Sequence, residues 1–137
     1  TRIYTSGFSA GSLWSSYLIL ERSEYLAAAA IFSGGIGLFP YQKPQRTTPV
    51  LLVDGGPGDV YGGVVNFETM TEDFAQRLTQ DGHFVMRCSH TRGHRLPQGA
   101  TSWGFDFLST HSYAQSQSPL LGSDPVSRGY PNWCEIR

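Results

Sequence analysis

The segment Arg2-Ile3-Tyr4-Thr5-Ser6-Gly7-Phe8-Ser9-Ala10-Gly11 constrains this chain more than any other. A short β-prone run leads into G-x-S-x-G, and the residues that follow, 12–22, carry Leu13, Tyr17 and Leu20 at helical spacing. Strand, tight turn and helix around a central serine form a nucleophile elbow. The turn is so sharp that side chains at Gly7 and Gly11 are expected to collide. The serine is expected to sit in a strained backbone conformation that pushes its hydroxyl out at the end of the strand. Read this way, Ser9 is a nucleophile, and the rest of the chain has to supply an acid and a histidine.

The chain downstream alternates between elements. Residues 2–6 read as a strand, 12–22 as a helix, and 28–32, within Ala27-Ala-Ala-Ala-Ile-Phe32, as a buried strand. Residues 34–48 read as a loop and 49–54 (Pro-Val-Leu-Leu-Val-Asp) as a strand covered on both faces. Residues 64–81 form an amphipathic pattern with Val64, Phe67, Thr71, Phe74 and Leu78 in one stripe, closed by Gly82. Residues 83–89 read as a fourth strand, and 98–111 as a last helix with Trp103, Phe107 and Leu108 inward. Residues 112–137, rich in Ser, Gln, Pro and Gly, are expected to lie irregularly over the surface. Such alternation predicts an α/β fold with a parallel sheet of about four strands, whose reactive groups gather at the carboxyl ends of the strands.

Ser9, Asp59 and His94 each follow one of these strands, in the order nucleophile, acid, base. A serine hydroxyl needs a base within hydrogen-bond reach, and the base needs an acid to fix its tautomer. Asp59 is favoured over Asp54, which ends its strand and could instead order the turn. His94, after Gly93, is favoured over His90, which is nearer the strand end. His83 starts its strand, at the far edge from Ser9, and His111 ends a helix, where the dipole favours a positive charge. Phe8, Phe39, Tyr41 and Tyr61 are candidates for substrate contact, none preferred. Ala10 would offer its backbone N–H to an oxyanion.

Composition narrows the partners. The net charge of −1 argues against a nucleic-acid surface or polybasic membrane anchor, and no apolar run approaches the ~20 residues of a membrane span. At 137 residues with 39% apolar and 15% charged content, the chain suits one globular domain. Cys88, His90 and His94 have soft and imidazole ligands, but no fourth ligand is evident, so a metal is not expected, and nothing calls for a cofactor. Cys88 and Cys134 could pair or remain free thiols.

The chain resembles the polyhydroxybutyrate-depolymerase-type esterases, α/β-hydrolases with feruloyl-esterase-like members. The resemblance rests on residues 2–11, on Pro49-Val-Leu-Leu-Val-Asp-Gly-Gly-Pro-Gly-Asp59, and on Cys88-Ser-His-Thr-Arg-Gly-His94-Arg-Leu-Pro97, which matches a C-x-H-x-x-G-H-x-x-P segment whose second histidine is catalytic. Residues 103–111 and Pro131-Asn-Trp-Cys134 resemble the closing helix and tail of secreted bacterial members. The resemblance implies a serine carboxylic-ester hydrolase acting on a small ester or a polyester through an acyl-enzyme, a Cys88–Cys134 disulfide and an extracytoplasmic location. Two positions depart from the pattern: Asp54-Gly55-Gly56 stands where many relatives have His-Gly, and Ala10-Gly11-Ser12 where Gly-Gly is commoner. The resemblance covers only the second half of the family's domain. The second oxyanion donor comes from a loop preceding the elbow, so residues 1–137 are expected to be the C-terminal part of a single domain whose N-terminal strands act as its partner. An inactive fragment, an interaction module, or a peptidase or acyltransferase on the same fold are the alternatives.

Overall fold

A computed structural model describes residues 1–137. Five strands form one sheet in the order β1 (Tyr4–Phe8), β2 (Ala28–Phe32), β3 (Val50–Asp54), β6 (Val85–Ser89) and β7 (Cys134–Ile136). The first four are parallel, and β7 runs antiparallel to β6. A two-stranded hairpin, β4 (Val60–Tyr61) and β5 (Val65–Asn66), projects between β3 and helix α2 (Phe67–Gln80).

Helices cover both faces of the sheet, which is why the strands read as unbroken apolar runs. Ala29, Ile31, Val50, Leu52 and Val85 point to one side, packing with Ile19 and Leu20 of α1 (Ala10–Arg22) and Phe74 and Leu78 of α2. Their strand neighbours Ala30, Phe32, Leu51, Val53 and Met86 point to the other, against Trp103, Phe107 and Leu108 of α3 (Ala100–Thr110). The alternation follows from the two-residue period of a strand. The alanines of β2 form a strand despite their helix propensity because all five of its residues are buried between two paired strands and two helical layers.

Several expectations change. The tail is not wholly irregular: Cys134–Ile136 adds an antiparallel edge strand, with Cys88 and Cys134 directly opposite each other and joined by a disulfide. A three-residue strand amid Pro and Gly has no periodicity to display. Val64 does not belong to the α2 stripe; it sits in the hairpin and is exposed, while Asn66 caps the helix by accepting from Thr69 N–H at 3.0 Å. Helix α1 does not bury Leu13 and Tyr17. Its inner face is Ser12, Ser15, Ser16, Ile19 and Leu20. Small hydroxyl side chains let this helix approach the sheet closely and bond both to β1, Ser15 with Thr5 at 2.9 Å, and to the loop after β2, Ser16 accepting from Gly35 N–H at 3.0 Å. An apolar-periodicity argument misses a helix that docks through serines.

Candidate active site

Strand β1 delivers the chain into the elbow. Ser9 has φ 56° and ψ −120°, and its N–H donates to Phe32 O at 3.0 Å. Only one other non-glycine residue, Ser33, has positive φ (50°). Both strained residues stand at the carboxyl edge of the sheet, where neighbouring structure has to hold them. The glycines of the elbow do not share one role. A Cβ at Gly7 would lie 2.3 Å from Gly11 C and O, whereas a Cβ at Gly11 would meet nothing within 4 Å. The expected collision is real at Gly7 and absent at Gly11, because Gly11 is already within α1 and faces outward.

The structure brings Ser9, Asp59 and His94 together. His94 Nδ1–H donates to Asp59 Oδ1 at 2.7 Å, which fixes the tautomer and leaves Nε2 to accept from Ser9 Oγ–H at 2.9 Å. Asp59 is fully buried, and its other oxygen accepts from Ser33 Oγ–H and from Gly55 N–H, each at 2.7 Å. The three donors replace the water that a buried carboxylate would otherwise need. The His94 ring stacks on Phe8 (centroids 4.9 Å, 26°) and on Phe67 (4.8 Å, 12°), with exposed Tyr61 at 6.0 Å. An imidazole gripped this way keeps its plane aligned with both hydrogen bonds.

The other candidates separate. Asp54 does not touch His94; it bonds Gly56 N–H, Ser89 Oγ and Arg87. His90 accepts from Arg92 N–H at 3.1 Å through Nδ1, packs edge-on against Trp133, and leaves Nε2 buried without a protein partner. Burial holds the His90 pKa below the usual imidazole value, against the pull of Asp59 and Asp54. His83 lies at the opposite end of the sheet, with Nδ1 3.0 Å from both the N and O of Thr48. The reading of His111 as a charged helix end is corrected. It is 1% exposed, its Nδ1–H donates to Phe107 O at 2.8 Å, and Nε2 accepts from Ser118 Oγ–H at 2.7 Å. Burial lowers its pKa, so desolvation outweighs the dipole. Cys88 is committed to the disulfide and is not a metal ligand.

Two contributors escaped the sequence reading. Ser33 falls between the strand read over 28–32 and the loop read over 34–48, and nothing local marks its bond to a residue 26 positions away. Phe67 reads as an ordinary core position of α2, although its ring faces His94. Of the loop aromatics, Phe8 and Tyr61 adjoin His94. Tyr41 instead donates to Asp81 at 2.6 Å, and burial raises its pKa. Phe39 lines an apolar groove of about 410 Å³ with Ala10, Leu13, Trp14, Tyr17 and Leu38. Ala10 is the first residue of α1, so its N–H has no acceptor within the helix.

Solved structures share this arrangement of elements. A serine-to-cysteine variant of pOPH in complex with DMSO superposes with a TM-score of 0.72 at 19% identity, over 99% of this chain and 52% of its own. The carboxylesterase of Bacillus cereus matches at 0.64 and 17%, over 80% and 50%. The protein Atu2452 of unknown function from Agrobacterium tumefaciens matches at 0.66 and 22%, over 81% and 52%. The fold is of the α/β-hydrolase type. The chain spans about half the length of these structures. No family model matches the chain, and no curated protein matches it.

Proposed function

We propose that this chain carries the catalytic triad of a serine carboxylic-ester hydrolase. The observation that carries the reading is the continuous hydrogen-bonded line from Ser9 Oγ through His94 to buried Asp59, with Ser9 held at φ 56°. Its likeness in fold to a carboxylesterase supports it. Ser9 Oγ attacks the ester carbonyl carbon while His94 Nε2 takes the hydroxyl proton, and Asp59 stabilises the resulting imidazolium. The developing oxyanion faces Ala10 N–H at the positive end of α1. Collapse of the tetrahedral intermediate breaks the ester C–O bond, and Nε2–H protonates the leaving alkoxide. A water then attacks the acyl-enzyme by the same route in reverse and frees the acid and Ser9. The apolar groove that begins at Ala10 suits an uncharged ester.

The histidine segment supports the polyhydroxybutyrate-depolymerase-type reading within this class, and the disulfide supports an extracytoplasmic location. Strand β1 is an edge of the sheet, and the chain spans about half of the solved relatives in fold. We therefore assign the activity to the whole protein, in which residues 1–137 supply the triad. The test is covalent labelling by a fluorophosphonate. The whole protein should label at Ser9, and Ser9→Ala and His94→Gln should abolish the label. Labelling that persists in Ser9→Ala would sink the triad.

A further inference from the structure

The acid and the base sit on two separate segments, the turn 55–59 after β3 and the loop 90–94 after β6. Their mutual position has to hold to a fraction of an ångström for the 2.7 Å bond between Asp59 and His94 to form. One residue is bonded to both segments. Asp54, the last residue of β3, pairs in register with Ser89, the last of β6, and its side chain is fully buried. Its Oδ1 accepts from Gly56 N–H in the acid turn at 2.9 Å and from Ser89 Oγ–H at 2.8 Å. Its backbone carbonyl accepts from His90 N–H, the first residue of the histidine loop, at 2.9 Å.

The remaining oxygen, Oδ2, takes Arg87 Nη2 at 2.9 Å, and Arg87 Nη1 continues to Glu72 on α2 at 2.7 Å. A buried carboxylate is expensive unless it is paired and its oxygens are bonded. Here every oxygen is occupied, and the partners lie on four segments: the acid turn, the end of β6, the histidine loop and, through Arg87, α2. An apolar residue of similar size would fill the space and keep only the main-chain tie to His90.

We infer that Asp54 is a positioning residue: braced by Arg87 and Ser89, it sets the separation between the turn that carries Asp59 and the loop that carries His94. It touches neither Ser9 nor His94 and acts through the Asp59–His94 hydrogen bond. The inference rests on the triad reading above and goes beyond it, because the residue that loses to Asp59 as the acid becomes the one that places it.

The experiment follows the His94 Nδ1 proton, whose bond to a carboxylate moves its NMR resonance far downfield, in the full chain well below each variant's Tm. Asp59→Asn should abolish the line. Asp54→Asn, which keeps an acceptor for Gly56 but loses the charge that holds Arg87, should shift and broaden it, and Asp54→Ala should do so more. Ser89→Ala, a mild change that removes a single tie, should move the line in the same direction by less, and it decides the matter if the Asp54 variants do not fold. A purely structural role would lower Tm and leave the resonance where it was. An unmoved line in folded Asp54→Asn or Ser89→Ala overturns the positioning role and leaves the triad standing. A line missing from the unsubstituted chain, or indifferent to Asp59→Asn, overturns both.

Discussion

Gly55 and Gly93 meet backbone to backbone: Gly93 N–H donates to Gly55 O at 3.0 Å, and a Cβ on Gly55 would lie 2.0 Å from Gly93 O. The acid turn and the histidine loop are therefore in van der Waals contact through their main chains. This close approach is what lets a short aspartate on one segment reach the imidazole on the other.

Gly55→Ala should accordingly disrupt the site more than its size suggests. The contact is with backbone, which cannot rotate away as a side chain can, so a cost near the top of the usual overpacking range, about 3 kcal/mol, is expected. Gly58→Ala is the control, since its Cβ would meet Gly93 Cα at an ordinary 3.5 Å. Urea denaturation and Ser9 labelling should both fall for Gly55→Ala and stay close to normal for Gly58→Ala.

The two elbow glycines should separate in the same way. Gly7→Ala places a methyl 2.3 Å from the Gly11 backbone and should cost stability and labelling together. Gly11→Ala enters open space inside a helix, where alanine exceeds glycine in propensity. It should raise stability by about 0.5–1 kcal/mol, measurable as an increase in urea midpoint at unchanged m-value.

Acid should destabilise the chain from near neutrality. Burial lowers the pKa of His83, His90 and His111 below the ordinary imidazole value. For a group depressed in the folded state, the unfolded chain binds the extra proton. The stabilisation is therefore complete above the unfolded pKa of about 6.5 and is lost as pH falls from there through the folded pKa. Each histidine can contribute a slope of up to about 1.4 kcal/mol per pH unit in that window. Thermal melts between pH 7.5 and 5 should show falling Tm, and His111→Gln should flatten the slope whatever it does to stability at pH 7.5. A Tm independent of pH over this range would contradict neutral burial of all three.

The disulfide should matter most to the β6–β7 edge. It closes a separation of 46 residues, which in a chain-entropy model stabilises by about 4 kcal/mol. Cys88→Ser/Cys134→Ser, or reduction, should lower the urea midpoint by a corresponding amount. Hydrogen exchange should report the loss first at Cys134–Ile136, a three-residue edge strand that bonds to β6 alone.

The sequence by itself determined the strand-turn-helix at Ser9, the buried runs of β2 and β3, the α/β alternation, and the placement of Ser9, Asp59 and His94 each after its own strand. These are legible because each is local. A steric turn needs glycine, a strand covered on both faces needs a continuous apolar run, and the order of elements follows the chain. The tertiary structure decided what depends on distance between remote segments. It separated Asp59 from Asp54 by which carboxylate reaches His94, and it brought Ser33 to Asp59. It turned Phe67 toward the imidazole, buried His111 as a neutral bridge, and showed that Gly7 is crowded where Gly11 is not. Such relationships follow from how β1, β2, β3 and β6 lie side by side in that order, and sequence periodicity carries no information about which loops then touch.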